Sequence, residues 1–144
     1  MNLKIEESIE DAVASFLDGI SGYTIFKGFD DNQFITPRIE IEVSSLNFLE
    51  TLDGVGSTLP EYAKFDLTLS VRVITNADDG TSRSEHNSGV SSVRQIFLRS
   101  SDNFDTSNLP DHHVSYIRME SSTQMISGSA RVTQSDYMIR AACS

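Results

Sequence analysis

The sequence predicts an α+β fold: a mostly antiparallel sheet of four to five strands with two helices packed on one face, in the order α-β-β-β-α-β-β. Three observations carry this. Apolar residues recur at helical spacing over residues 3–20, they recur at that spacing again from His86 to Phe97, and between and after those runs they alternate with polar residues. Spacings of three and four collect side chains on one helix face, whereas a spacing of two collects them on one face of a strand. Helices on one side of an antiparallel sheet are the layered solution for such an element list.

The first helix presents Ile5, Ile9, Ala12, Val13, Phe16, Leu17 and Ile20 as one stripe, with Glu6, Glu7, Glu10 and Asp11 opposite as a solvated face. Those carboxylates lie early, where the positive end of the helix dipole favours them, and Gly19 and Gly22 fall where the stripe stops. Tyr23 to Phe29 reads as a short strand closed by the turn signal Asp30-Asp31-Asn32. Pro37 introduces a second strand, in which Ile39, Ile41 and Val43 share one face and Glu40 and Glu42 the other; it reads as half-buried antiparallel sheet rather than a central parallel strand. The longest alternation sets Phe65, Leu67, Leu69, Val71 and Val73 against Asp66, Thr68, Ser70 and Arg72.

Between the last two strands, Ser44 to Pro60 is too long for a tight turn yet carries Leu46, Phe48, Leu49, Leu52, Val55 and Leu59. Long connections in compact domains are usually functional or partner-bound, and so apolar a segment needs cover. Either it folds on its own core as a short helix or extra hairpin, or it is an arm that contacts a neighbouring subunit.

Ser82-Arg83-Ser84-Glu85 has the form of a capping box and opens the second helix, whose stripe is His86, Val90, Val93, Ile96 and Phe97. His86 is expected to be packed or hydrogen-bonded rather than a ligand, and Gly89 weakens the helical pattern. After a polar loop holding Asp102, Asn103, Asp105 and Asn108, alternation returns with Val114, Tyr116, Arg118 and Glu120 on one side and His113, Ser115, Ile117 and Met119 on the other. Ala130 to Ala142 forms the last strand around Val132, Tyr137 and Ile139, with Ser121 to Ser129 as a loose connection. Phe16, Leu69, Val71 and Phe97 are expected to meet in the core.

Composition bounds the functional classes. A chain of 144 residues is expected to form one domain, 1–144, since that length buries about 68–70% of its unfolded surface without staples. The net charge of −10, with scattered Lys and Arg, argues against gripping nucleic acid, which needs clustered cations. The apolar runs fall short of a bilayer, the acidic MNLKIEESIEDA is unlike a signal peptide, and the lone Cys143 excludes an internal disulfide or a cysteine-built zinc site. The expectation is a protein made and kept in the cytosol unless something larger carries it out. Gly54-Val55-Gly56 lacks the glycine spacing and the Lys of a phosphate cradle. Asp111-His112-His113 is the one dense polar triplet, but neighbours on a strand point to opposite faces, so the two imidazoles are poorly placed to share a metal. No catalytic residue, cofactor site or metal site is expected.

The N-terminal amphipathic helix, the segment Pro37-Arg38-Ile39-Glu40-Ile41-Glu42-Val43, the long exposed loop, the long strand Phe65 to Thr75 ending in Asn76-Ala77, the helix carrying Val93-Arg94-Gln95-Ile96-Phe97 and the closing strand pair together resemble the tail terminator proteins of tailed bacteriophages. The resemblance spans nearly the whole chain and consists of element order rather than a diagnostic motif. It implies a non-enzymatic virion protein, assembled in the host cytoplasm, whose homohexameric ring caps the finished tail tube and joins it to a neck or head-completion protein. The partners it implies are further copies of the chain, the tail tube protein and that neck protein, with DNA passing through unbound and no membrane. In such a ring Leu46, Phe48, Leu49, Leu52 and Val55 are candidates for subunit contacts, and Glu40, Glu42 and Asp66 for acidic side chains facing the lumen. The alternative is a small monomeric α+β domain that binds a ligand or protein, or catalyses a modest hydrolysis with Asp111, His112, His113 and a carboxylate such as Asp30.

Overall fold

Each change of hydrophobic period is a change of element in the computed structural model, which describes residues 4–29, 35–53, 60–98 and 112–143. In chain order these are α1 (Ile5–Leu17), β1 (Thr24–Lys27), β2 (Arg38–Asp53), β3 (Pro60–Asn76), a 3₁₀ turn (Ala77–Asp79), α2 (Arg83–Leu98), β4 (His112–Ser127) and β5 (Ala130–Cys143). The fold is α+β with the expected order. Five strands form one sheet in the order β1-β2-β3-β5-β4. Only β1 with β2 is parallel, so β2 has a parallel neighbour on one side along Arg38–Ile41 and an antiparallel one on the other side along its whole length. The turn signal Asp30-Asp31-Asn32 and the polar loop from Asp102 to Asn108 lie outside the described residues.

Both helices pack on one face of the sheet. In α1 the buried stripe is Ile5, Ile9, Val13 and Leu17, and in α2 it is His86, Gly89, Val90, Val93 and Phe97. These meet the odd-numbered side chains of β3 from Ala63 to Val73, together with Ile39 and Ile41 of β2 and Tyr137, Ile139 and Ala141 of β5, in one buried cluster. Phe97 stacks on Tyr137 with ring centroids 4.2 Å apart and planes 17° from parallel. Leu69, Val71 and Phe97 are buried as expected, while Phe16 lies half-buried at the margin of the cluster. The Ser82 hydroxyl accepts the Glu85 amide at 3.1 Å, which caps α2 as its sequence requires.

Four expectations need correction, and two share a cause. Ser44 to Pro60 takes the hairpin alternative rather than forming a loop: β2 continues past Val43 to Asp53 and β3 begins at Pro60, so most of the segment is an extension of the two strands. A bulge between Val43 and Ser45 hides this in the sequence, because the extra residue puts Val43 and Leu46 on the same face and breaks the alternation. A bulge between Val114 and Tyr116 likewise puts Val114 and Ile117 together on the helix face, where strict alternation would separate them. Ser121 to Ser129 is strand as far as Ser127, and the turn is closed by Gly128 at φ 60°. Fourth, the acidic side of α1 is not wholly solvated. Glu10 accepts the Val43 amide, which points to the outer edge of β2, at 3.1 Å, and Asp11 pairs with Lys27 of β1.

Candidate functional site

The face of the sheet away from the helices is where the polar halves of the alternating strands collect. Register places Arg38, Lys64, Arg72, Arg118 and Arg140 on it, together with Glu40, Glu42, Glu50, Asp66 and Asp136, five cations against five carboxylates. Glu120, in a bulge of β4, pairs with Arg118 at 3.3 Å and adds a sixth carboxylate, so among the described residues the face is close to neutral.

Four of these charges are held by partners on other strands, and Arg38 and Glu40 hold each other within β2. Arg140 of β5 grips Asp66 of β3 through two parallel bonds, Nε to Oδ1 at 2.7 Å and Nη2 to Oδ2 at 2.9 Å, a fork matched to a carboxylate. That guanidinium holds the Asp66 carboxyl below its ordinary range, against the opposing pull of partial burial. Arg38 donates from Nε to Glu40 at 3.3 Å, and Glu40, 1% exposed, is far from the solvated carboxylate its alternation suggested. Arg72 donates to Gln134 at 3.0 Å and lies over the Phe29 ring at 3.9 Å, a cation–π contact. Ser70 and Ser121 both donate to Asp136, at 2.7 and 3.1 Å. Of the three acidic candidates, Glu40 and Asp66 are therefore paired within the chain, and Glu42 is half-buried opposite Ser70.

The apolar candidates sit on the outstretched part of β2. Phe48 is 47% exposed and touches Phe65 edge to face at 6.4 Å, Leu49 occupies a second bulge and is 43% exposed, and Leu46 packs against the core. The Leu52 side chain and Val55 lie outside the described residues. β4 also exposes the apolar side chains of Met119, Met125 and Ile126; the last two lie where the sequence suggests a loose connection rather than strand.

Elsewhere the polar groups have structural partners. His86, 2% exposed, is fixed between the hydroxyls of Thr75 at 2.7 Å and Thr133 at 2.8 Å, and burial, reinforced by nearby Arg131, pushes its pKa down. An open groove of about 1060 Å³ runs between the end of α1 and α2, lined by Phe16, Ile20, Tyr23 and Ile96 with Ser84, Ser88 and Ser92. Tyr23 leans over Gly89 there so closely that a Cβ on residue 89 would come 2.0 Å from its hydroxyl oxygen. Asp30, Asp111 and the side chain of His112 lie outside the described residues, and His113 is exposed. Among the described residues no group of three His, Cys, Asp or Glu could hold a metal ion, and no helix is long and apolar enough to cross a membrane.

No family model matches this chain, and no curated protein does. Among solved structures, a chain from the virion of a native gene transfer agent particle is similar, with a TM-score of 0.57 over 98% of this chain and 99% of that one. The two sequences are 11% identical, so the likeness is one of fold, from end to end of both chains.

Proposed function

We propose that this chain is a structural virion protein, and more finely a tail terminator: a ring-forming protein that caps a completed tail tube, stops its growth and offers the joining surface for the neck. The observation that carries the reading is the end-to-end fold likeness to a chain of a gene transfer agent virion. The sheet adds support, because its helix-free face and its outstretched hairpin offer surfaces for assembly rather than a cleft for chemistry. In the ring the hairpin residues Leu46, Phe48, Leu49, Leu52 and Val55 contribute to subunit contacts. The helix-free face, with Glu42 beside the paired Glu40 and Asp66, turns toward the lumen.

Such a wall would act on DNA in a particular way. Carboxylates already paired with arginine present little net field, and what remains decays over a Debye length of about 8 Å at physiological salt. The wall would neither hold phosphate nor repel it strongly. The reading is tested by native mass and electron microscopy of the isolated chain and of the chain mixed with polymerising tube protein. Rings near six times 15.9 kDa and tubes of limited length are expected. A monomer that leaves tube length unchanged overturns the reading, and would favour a small binding domain that uses the groove between α1 and α2.

A further inference from the structure

The two edges of the sheet differ in kind. β1 covers only Arg38–Ile41 of β2, and the Glu10 carboxylate takes up the next outward amide, at Val43. Beyond that point the outer edge of β2 pairs with nothing among the described residues. On the far side of the sheet β4 is the edge strand, and its outer side is likewise unpaired among the described residues. Unpaired edges of this length are templates for another strand, and proteins usually blunt them.

We propose that these edges pair with each other between copies of the chain, the outer edge of β4 adding to the outer edge of β2 in the next subunit, antiparallel, around Met119 opposite Phe48. This rests on the reading of the chain as ring-forming and names the contact that would close the ring.

Three features of the strands support it. Strand direction comes first: β2 and β4 run antiparallel to each other within one sheet, so repeating the sheet side by side leaves β4 antiparallel to the next β2. The second is side-chain facing. Phe48 opposes Phe65 and Met119 opposes Tyr137, so both lie on the helix face, while Glu50 opposes Lys64 and Arg118 opposes Met138 on the other face. One register therefore sets an exposed phenyl ring beside an exposed thioether on one side and a carboxylate beside a guanidinium on the other. Each strand also carries one bulge at this place, Leu49 in β2 and Glu120 in β4. A bulge shifts the facing of everything beyond it. Two adjacent bulges, one per strand, cancel, and Asn47 and Ser121 again share a face on the far side.

Charge is the third. From Ser45 to Asp53, β2 carries Glu50 and Asp53 with no cation, whereas the first half of β4 is balanced, its exposed Arg118 pairing with Glu120 of the same strand at 3.3 Å. Two copies of the β2 edge would set carboxylate against carboxylate, whereas the mixed pair brings Glu50 to Arg118. An edge that binds a different edge is a heterologous contact, which closes into a ring when the rotation allows.

The test uses the full chain with Cys143→Ser, so that no native thiol remains. Phe48→Cys and Met119→Cys are prepared as separate proteins, then mixed under mild oxidation with native mass recorded on the same samples. A disulfide-linked dimer in the mixture, absent from either protein alone, is expected, and the doubly substituted chain should give a ladder of linked species. An assembly of normal size without the mixed link overturns the edge pairing and leaves the ring reading intact, whereas a chain monomeric throughout overturns both. Charge reversal gives a reading free of cysteine. Glu50→Arg and Arg118→Glu should each lower the association constant about tenfold, and the double reversal should restore it; additive losses would count against the register.

Discussion

The two faces of the sheet are built from the same strands and are fastened in different ways. On the helix face, β3 contributes Phe65, Leu67, Leu69 and Val71 to an apolar cluster that any volume-filling neighbour could complete. On the other face the same strand contributes Asp66, Ser70 and Arg72, each joined to a particular group on another strand. Apolar burial is non-directional and scales with area, while a polar contact stabilises only when its partner is correctly placed. The helix face therefore supplies most of the stability, and the other face fixes register and leaves a polar surface of interleaved charges.

The largest effect should come from the helix face. Phe97→Ala removes the ring stacked on Tyr137 at the centre of the cluster and should cost about 3–5 kcal/mol, read from the shift in urea midpoint at constant slope. A loss under about 1 kcal/mol would erase the proposed division of labour between the faces.

One site on the polar face should come close to that. Glu40 is buried with Arg38 beside it, so Arg38→Met strands a carboxylate away from water, a change worth about 3 kcal/mol or more. Adding Glu40→Leu removes the stranded charge and should return most of the loss. If the double variant is no better than the single one, the Arg38 stem rather than its charge is what matters.

These two substitutions mark what was legible in the sequence. Phe97 and its helix were visible because burial repeats with the period of the element that carries it. The alternation of Glu40 showed which face it was on and that Arg38 shares it, but its burial depends on what covers that face, which periodicity does not encode. The pairing of Arg140 with Asp66 joins residues 74 apart in the chain. The hairpin arm was hidden for another reason: each bulge inserts one residue and inverts the pattern beyond it, so a regular strand looks like an irregular loop.

Gly89 looked like a flaw in α2 and is explained by a contact across the groove. Alanine there gains up to about 1 kcal/mol of helix propensity but drives a methyl group into the Tyr23 ring, and overpacking of this kind costs about 1–3 kcal/mol. Gly89→Ala should therefore destabilise by thermal denaturation. In a Tyr23→Leu background the same change should become neutral or stabilising, and a loss that persists there would place the constraint elsewhere than on Tyr23.

The smallest effect belongs to the best-formed ion pair of the polar face. Arg140 and Asp66 side chains remain 32% and 23% exposed, so solvent screens their attraction and Arg140→Gln should cost about 1 kcal/mol or less. Its signature is the dependence on pH. The Asp66 pKa is lowered in the fold from an ordinary 3.8, so the unfolded chain binds the proton more readily. The contribution is complete above about pH 4 and is lost as pH falls through the folded value. The difference in stability between the native chain and Arg140→Gln should then be constant from neutral pH down to that point and shrink below it. A gap that persists undiminished in acid would mean that Arg140 acts through the packing of its aliphatic stem, and the polar face would then be held by contact area like the face beneath the helices.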